Sequence, residues 1–198
     1  MKKEINTLKP PHDTGLFIGY LNLPTALTLS GVVLACLSII FSATGQLPLA
    51  VISLIYAGLC DLFDGWVARK CKLSEHEQEY GIYIDTVADM ASFGVAPAFL
   101  IYHAGLNSPI EIIAILFYIC SAGTRLAYFN TLATKIKGPV SHYTGLPVTY
   151  AALIFPVVLY FSYSPTQEIS TPPVNIALWI LALGFILRIP IPLSLIHI

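Results

Sequence analysis

Four aspartates in one short stretch are the residues of this sequence best suited to chemistry. Asp61 and Asp64 stand three positions apart, and Asp85 and Asp89 stand four positions apart, each pair in or beside an apolar segment. Because residues three or four apart share a face of an α-helix, each pair predicts one acidic helix face. If the two faces converge, two divalent cations would neutralise the four carboxylates. Oxygen-only ligands suit Mg²⁺ or Mn²⁺ rather than zinc.

Small residues and one arginine accompany the aspartates. Gly65 and Ala68 share the face of the first pair, and Gly81 and Ser92 share the face of the second pair, which leaves room for a ligand. Arg69 ends the first segment, where its guanidinium can bind a phosphate through two hydrogen bonds. The alternative is a structural role, in which the aspartates pair membrane helices. Four acidic side chains weaken that alternative, because one carboxylate at the bilayer centre costs about 2.5–3.5 kcal/mol.

The order of these residues resembles the signature of the CDP-alcohol phosphatidyltransferases. That signature has the form D-x2-D-G-x2-A-R, a spacer, and G-x3-D-x3-D, and it covers residues 61–89 of this sequence. The resemblance implies that Asp61, Asp64 and Asp85 are ligands of two Mg²⁺ or Mn²⁺ ions. It also implies that Asp89 is both a metal ligand and the catalytic general base. The implied contacts to a CDP-linked lipid are Gly65, Ala68, Arg69, Gly81 and Thr28.

The resemblance also implies a reaction, the transfer of a phosphatidyl group from CDP-diacylglycerol to an alcohol with release of CMP. The runs MASFGVAPA, TRLAYFN and TGLPVTYAA are similar to the integral-membrane phosphatidylserine synthases of that family, which implies L-serine as the acceptor. Serine carries a carboxylate that needs a cation beyond the metals. Arg125 is the first candidate for that cation. The other expected acceptor contacts are Ser92, Lys135 and Lys137.

Three other functions stay open on the sequence alone. Glycerol 3-phosphate or an inositol phosphate is an alternative acceptor, although its phosphate predicts a richer cationic cluster. A cation or proton transporter is an alternative because membrane carboxylates often mark ion pathways. Against it, the aspartates cluster near one end of their segments instead of lining a path across the membrane. An inactive scaffold is the third alternative, and the intact signature disfavours it.

The composition is that of a membrane protein. Of the 198 residues, 56% are hydrophobic and 11% are charged, against about 25% charged in a soluble domain. We predict an all-α polytopic membrane protein with six transmembrane helices. An N-terminal juxtamembrane segment over residues 1–20 precedes one membrane domain over residues 21–198. The predicted spans are residues 22–43, 47–69, 81–102, 109–131, 142–162 and 172–187, and the charged spacer over residues 70–80 is predicted to be an exposed turn.

The placement of charge predicts the orientation. The ten Lys and Arg residues lie at the amino terminus or near the ends of the second, fourth and sixth spans. The positive-inside rule therefore places both termini and the aspartate site on the cytoplasmic side of the cell membrane. The four cysteines lack paired spacing and predict reduced packing residues rather than a zinc site. No basic cluster in the sequence indicates nucleic-acid binding, and the resemblance implies a homodimer among membrane lipids.

Overall fold

The structure is a computed structural model that describes residues 18–135, 143–163, 169–188 and 190–191. These residues form seven α-helices. Helices α1 to α5 are Leu23–Ala43, Leu47–Ala68, Glu75–Asp89, Ala96–His103 and Pro109–Lys135, and α6 and α7 are Ala151–Ser162 and Thr171–Ile186. A π-helical turn, Met90–Val95, joins α3 to α4, and a 3₁₀ turn, Val148–Tyr150, precedes α6. The only strands within the described ranges are two residues long, Tyr143–Thr144 paired antiparallel with Pro190–Ile191.

Small residues let α1 and α2 pack closely as a helical hairpin, as is typical of helices in membranes. A Cβ added at Gly31 would lie 3.3 Å from the Cβ of Cys60. The Ser38 hydroxyl donates to the Ala50 carbonyl oxygen at 2.8 Å. This close packing holds the first pair of aspartates, on α2, against α1. The buried face of α1 consists of Pro24, Thr25, Thr28, Gly31, Ala35, Ser38 and Ser42.

Helix α3 begins inside the charged spacer, so the predicted exposed turn over residues 70–80 is only partly correct. The Glu77 amide donates to the Ser74 hydroxyl at 3.3 Å, and the Ser74 amide donates to the Glu77 carboxylate at 2.9 Å. This reciprocal pair is a capping box, which satisfies backbone donors at a helix start. The helix therefore starts at Glu75, before Gly81. The additional turns bring polar side chains next to the signature residues.

The long helix Glu75–His103 changes its winding at the π-helical turn Met90–Val95. Pro97 explains this change. A proline inside a helix offers no N–H to the carbonyl four residues before it, here that of Phe93, and its ring clashes with that carbonyl. The Tyr118 hydroxyl on α5 donates to the Phe93 carbonyl oxygen instead. The hydrogen bond that Pro97 cannot donate is thus replaced by a donor from the neighbouring helix.

Aromatic contacts join α5 to both carboxyl-terminal helices. The Tyr118 ring contacts the rings of Phe155 and Phe185, with centroids 5.6 Å and 5.5 Å away. The Phe117 and Trp179 rings lie 5.7 Å apart. Large aromatic side chains contribute much of the apolar area of a core. The core therefore reaches from α5 to α6 and α7, with Tyr118 at its centre.

The predicted fifth span over residues 142–162 begins too early. The α-helix there starts only at Ala151. Gly145 has a φ of +76°, and Pro147, two residues later, has a ψ of 142°. Neither conformation is that of an α-helix. His142 lies outside the described residues. The structure thus shortens this apolar helix from its amino end.

Four helical segments are long and apolar enough to cross a membrane, Leu23–Ala43, Leu47–Ala68, Glu75–His103 and Pro109–Leu132. The prediction of an all-α chain with helices that can span a membrane is thereby confirmed. The apolar helices Val148–Ser162 and Thr171–Ile186 are shorter, so the count of six spans stays a prediction. Most of the predicted juxtamembrane segment, residues 1–17, lies outside the described ranges. All four cysteines are free, and Cys36 and Cys120 are exposed rather than packed.

Candidate metal centre and ligand cavity

Three of the signature aspartates meet between α2 and α3. One carboxylate oxygen from each of Asp61, Asp64 and Asp85 lies within 4.8 Å of the other two. The Asp64 side chain is buried, with 5% of its surface exposed, and the other two are half-buried. Because every donor is a carboxylate oxygen, the cluster has the chemistry that hard divalent ions prefer. These residues fit a metal ion.

Asp89 lies beside this cluster, one helical turn beyond Asp85. Its carboxyl group lies next to that of Asp61. Asp61, Asp89 and Ser92 line one narrow cleft together with Asp64. The structure thus brings the two predicted acidic helix faces together. Asp89 is half-buried.

Thr28 supports the cluster from α1. Its hydroxyl oxygen lies 2.5 Å from a carboxylate oxygen of Asp64 and 3.1 Å from the carbonyl oxygen of Pro24. Helix α1 begins nearby, where the Asn22 side chain accepts a hydrogen bond from the Thr25 amide at 3.0 Å and so caps the helix. The expectation for Thr28 was a CDP-lipid contact, and the structure adds a contact to a carboxylate of the cluster.

Replacing the Thr28 hydroxyl with a methyl group is expected to weaken metal binding. Thr28→Val keeps the side-chain shape but removes the donor to Asp64. Contacts that support a metal ligand in this way typically change metal affinity by about 10–100-fold. We expect Mn²⁺ to bind at least about tenfold more weakly, as measured by electron paramagnetic resonance titration. Thr28→Ser keeps the donor and should bind Mn²⁺ like the wild type. Equal affinities for the two variants would show that the hydroxyl does not support the site.

A cavity of about 530 Å³ opens beside the aspartates. Its volume lies within the range of small-molecule sites, about 300–1,000 Å³. A Cβ added at Gly81 would meet no heavy atom within 4 Å, so this glycine keeps part of the space open. The side chain of Arg69 is exposed and lines the cavity. The predicted site residues that the structure brings to this cavity are Thr28, Asp64, Gly65, Ala68, Arg69, Gly81 and Asp85.

The first turns of α3 contribute lining residues that the sequence reasoning missed. Glu77 and Gln78 both line the cavity. The side-chain nitrogen of Asn22 lies 3.5 Å from a Glu77 carboxylate oxygen, which links the start of α1 to the start of α3. The sequence from Ser74 to Glu77 has the S-x-x-E pattern of a capping box, which indicates a helix start. That pattern was the signal available for these residues.

Arg125 lies in a different crevice, next to the end of α7. Its side chain is 6% exposed, donates to the Gly145 carbonyl oxygen at 3.1 Å, and lies over the Phe129 ring, 4.3 Å from its centroid. A crevice of about 160 Å³ is lined by Arg125 and by Arg188. Two arginines at one crevice suit an anion. The crevice shares no lining residue with the aspartate cavity, and the sequence reasoning missed Arg188.

Among the remaining expected acceptor contacts, the structure places one side chain, that of Ser92, beside the aspartates. Ser92 is buried, with 3% of its surface exposed, and lies in the narrow cleft with the aspartates. Lys135 is the last residue of α5. Lys137 lies outside the described residues. The acceptor roles of these three residues therefore stay predictions.

Comparison with known proteins matches the chain to the family that its signature resembles. The family model for CDP-alcohol phosphatidyltransferase matches residues 21–189. The chain is 37% identical over 137 residues to archaetidylserine synthase of Methanothermobacter thermautotrophicus, a match covering 68% of this chain and 56% of that protein. It is 40% identical over 103 residues to CDP-diacylglycerol--serine O-phosphatidyltransferase of Methanocaldococcus jannaschii, covering 52% of this chain and 46% of that protein.

A third relative is matched over more of its length. The CDP-diacylglycerol--serine O-phosphatidyltransferase of Bacillus subtilis is 29% identical over 145 residues, covering 72% of this chain and 77% of that protein. The chain spans about half the length of the two archaeal relatives. No solved structure matches the chain.

Proposed function

We propose, because this chain belongs to the CDP-alcohol phosphatidyltransferase family, that it transfers the phosphatidyl group of CDP-diacylglycerol to L-serine, giving phosphatidylserine and CMP. One observation carries the proposal: the carboxylates of Asp61, Asp64 and Asp85 meet beside a cavity that is lined by Gly65, Ala68, Arg69 and Gly81. The names of three relatives support serine as the acceptor.

The proposed step exchanges one phosphorus–oxygen bond for another. The serine hydroxyl oxygen attacks the lipid-side phosphorus of the diphosphate, and the bond from that phosphorus to the oxygen of the departing CMP breaks. Asp89 accepts the hydroxyl proton, because an alcohol is a poor nucleophile until a base removes that proton. Asp61, Asp64 and Asp85 would hold two Mg²⁺ or Mn²⁺ ions, with Asp89 as a further ligand. Such ions neutralise charge on the diphosphate and the leaving group.

The cavity residues suggest how the CDP-lipid binds. Gly65, Ala68 and Gly81 carry little or no side chain, so the diphosphate can approach the two helices. Arg69 is exposed at the same cavity, and its guanidinium can bind a phosphate through two hydrogen bonds. Thr28 lies at the junction of the cavity and the metal cluster. We assign these five residues to CDP-lipid binding.

The membrane arrangement completes the proposal. We propose six membrane spans in one domain over residues 21–198, with the aspartate site on the cytoplasmic side of the cell membrane. The location of Lys and Arg near alternate span ends supports this orientation. We also propose that the protein is a homodimer surrounded by membrane lipids, as its family membership leads us to expect. Glutaraldehyde crosslinking in native membranes tests the dimer.

A comparison of acceptors tests the proposed reaction. Purified protein in detergent is given CDP-diacylglycerol and labelled serine, glycerol 3-phosphate or an inositol phosphate, with Mg²⁺ or Mn²⁺ and with a chelator. Phosphatidylserine and CMP should form in equal amounts, only with serine and only with metal. Lipid product with another acceptor alone would refute serine as the substrate. Absence of CMP release with every acceptor would refute the transferase and favour the transporter.

A phosphate-bearing acceptor is the second candidate. Arg125 and Arg188 line the same crevice, and two guanidinium groups make a stronger phosphate site than one. This second arginine makes glycerol 3-phosphate or an inositol phosphate a better-supported acceptor than the sequence alone made it. Serine stays the first candidate, because its single carboxylate can use the same arginines and because the relatives are named for serine.

Removing the Arg125 guanidinium should affect serine more than the CDP-lipid. A hydrogen bond to a charged group contributes about 1.5–3 kcal/mol, so Arg125→Ala should raise the KM for serine by about tenfold or more. The KM for CDP-diacylglycerol should change less than about twofold, because that lipid binds at the other cavity. Arg125→Lys keeps the charge but loses the bidentate geometry and should fall between. Thermal unfolding of each variant controls for the lost contact to Gly145. Equal changes in both KM values would contradict a serine contact.

A further inference from the structure

Tyr118 makes a polar contact that the proposed reaction does not yet use. Its side chain is fully buried in α5, and its hydroxyl donates to the backbone carbonyl oxygen of Phe93 in the π-helical turn. A buried hydroxyl needs a partner, and side chains of this size usually find one within the core. The partner here is a main-chain carbonyl within the helical segment Glu75–His103.

The sequence explains why this carbonyl is available. In an α-helix the Phe93 carbonyl would accept from the amide four residues later, which is Pro97 and has no N–H. The helix widens instead, so that the Ala96 amide donates to the Ala91 carbonyl five residues before it. π-helical turns of this kind are frequent at functional sites. The Tyr118 hydroxyl therefore compensates for the proline and anchors the widened turn.

The anchored turn starts directly after Asp89. Phe93 lies one turn beyond Asp89 and lines the same narrow cleft as Asp89 and Ser92. We propose that Tyr118 is a positioning residue for Asp89. The Tyr118 hydroxyl holds the Phe93 carbonyl and thereby fixes the orientation of Asp89 towards the cluster. This inference rests on the proposed function, in which Asp89 accepts a proton and binds metal.

The test removes only the hydroxyl. Tyr118→Phe keeps the ring and its contacts with Phe155 and Phe185. Because a small misplacement of a catalytic group can cost about 100-fold, we expect kcat to fall about tenfold or more. Both KM values should stay within about twofold of the wild type, since Tyr118 is buried and lines neither the aspartate cavity nor the Arg125 crevice. Mn²⁺ should bind about tenfold more weakly, as for other supporting contacts. Tyr102→Phe is the matched control, with an exposed side chain on α4, and should match the wild type in all three measurements.

A second variant separates positioning from stability. Pro97→Ala supplies an N–H that can bond the Phe93 carbonyl, so the double variant Tyr118→Phe with Pro97→Ala should recover the melting temperature in detergent. Its kcat and Mn²⁺ affinity should stay low, because the regained bond favours ordinary α-helical winding and not the widened turn. Recovery of kcat together with stability would overturn the positioning role, as would a Tyr118→Phe enzyme with the kcat and Mn²⁺ affinity of the wild type. A wild type without activity would refute the proposed function instead, and the Mn²⁺ titration would still test Tyr118.

Discussion

Asp89→Asn is expected to lower kcat by about 100-fold to 10,000-fold, the range that a positioned general base contributes. The amide has nearly the same size as the carboxylate but cannot accept a proton from the serine hydroxyl. Binding of CDP-diacylglycerol should survive, because Asp89 does not line the larger cavity where Gly65, Gly81 and Arg69 lie. Turnover measured by CMP release and binding measured by equilibrium titration with the CDP-lipid give the two quantities.

Glu79→Gln provides the matched control for this experiment. Glu79 is an exposed carboxylate on the same helix, α3, and does not line the cavity. The same change of carboxylate to amide there should leave kcat within about twofold, as for surface substitutions in general. If Asp89→Asn retained the wild-type kcat, Asp89 would not be the base. Loss of CDP-lipid binding together with turnover would assign it a binding role instead.

Asp85→Asn is expected to have the second large effect, a loss of metal affinity of at least about 100-fold. Supporting contacts alone change metal affinity by about 10–100-fold, and Asp85 offers a carboxylate oxygen directly to the cluster. Binding of Mn²⁺ without substrate, followed by electron paramagnetic resonance, reports this affinity independently of turnover. Activity at low Mg²⁺ should be lost in parallel.

Excess metal distinguishes a weakened site from a destroyed one. For Asp85→Asn, raising the Mn²⁺ concentration about 100-fold should restore part of the activity, because Asp61 and Asp64 still provide carboxylates. The Glu79→Gln variant should bind Mn²⁺ like the wild type, since its carboxylate lies outside the cluster. An Asp85→Asn protein that binds Mn²⁺ as tightly as the wild type would exclude Asp85 as a ligand.

The arrangement of the aspartates could be predicted because it depends on local periodicity. A spacing of three or four residues determines a helix face whatever the tertiary contacts are. Two such faces in adjacent apolar segments had few ways to pack other than towards each other. The structure accordingly brings together Asp61, Asp64 and Asp85. Thr28 was predicted as a lipid contact, but its bond to Asp64 depends on how closely α1 approaches α2, which no local pattern gives.

Two departures from the sequence prediction have identifiable local causes. The start of α3 at Glu75 follows from the capping box at Ser74. The prediction of an exposed turn used only the charge of the spacer and overlooked this pattern. The late start of α6 follows from the φ of +76° at Gly145 and from Pro147. Both are backbone effects, and hydropathy does not register them. The crevice shared by Arg125 and Arg188 was unpredictable for another reason, because it depends on packing between residues distant in sequence.

The cavity beside the aspartates combines two kinds of wall. Ile82 and Ile84 line it together with the charged side chains of Arg69 and Glu77. Such a mixed lining suits an amphipathic molecule, with an apolar part and a charged part. For the proposed reaction, one reactant is then confined to a two-dimensional phase while the other arrives from bulk water. The reaction rate would depend on the mole fraction of the CDP-lipid in the membrane and not on its bulk concentration. Adding an inert lipid would therefore lower the rate by diluting the substrate, without binding to the enzyme.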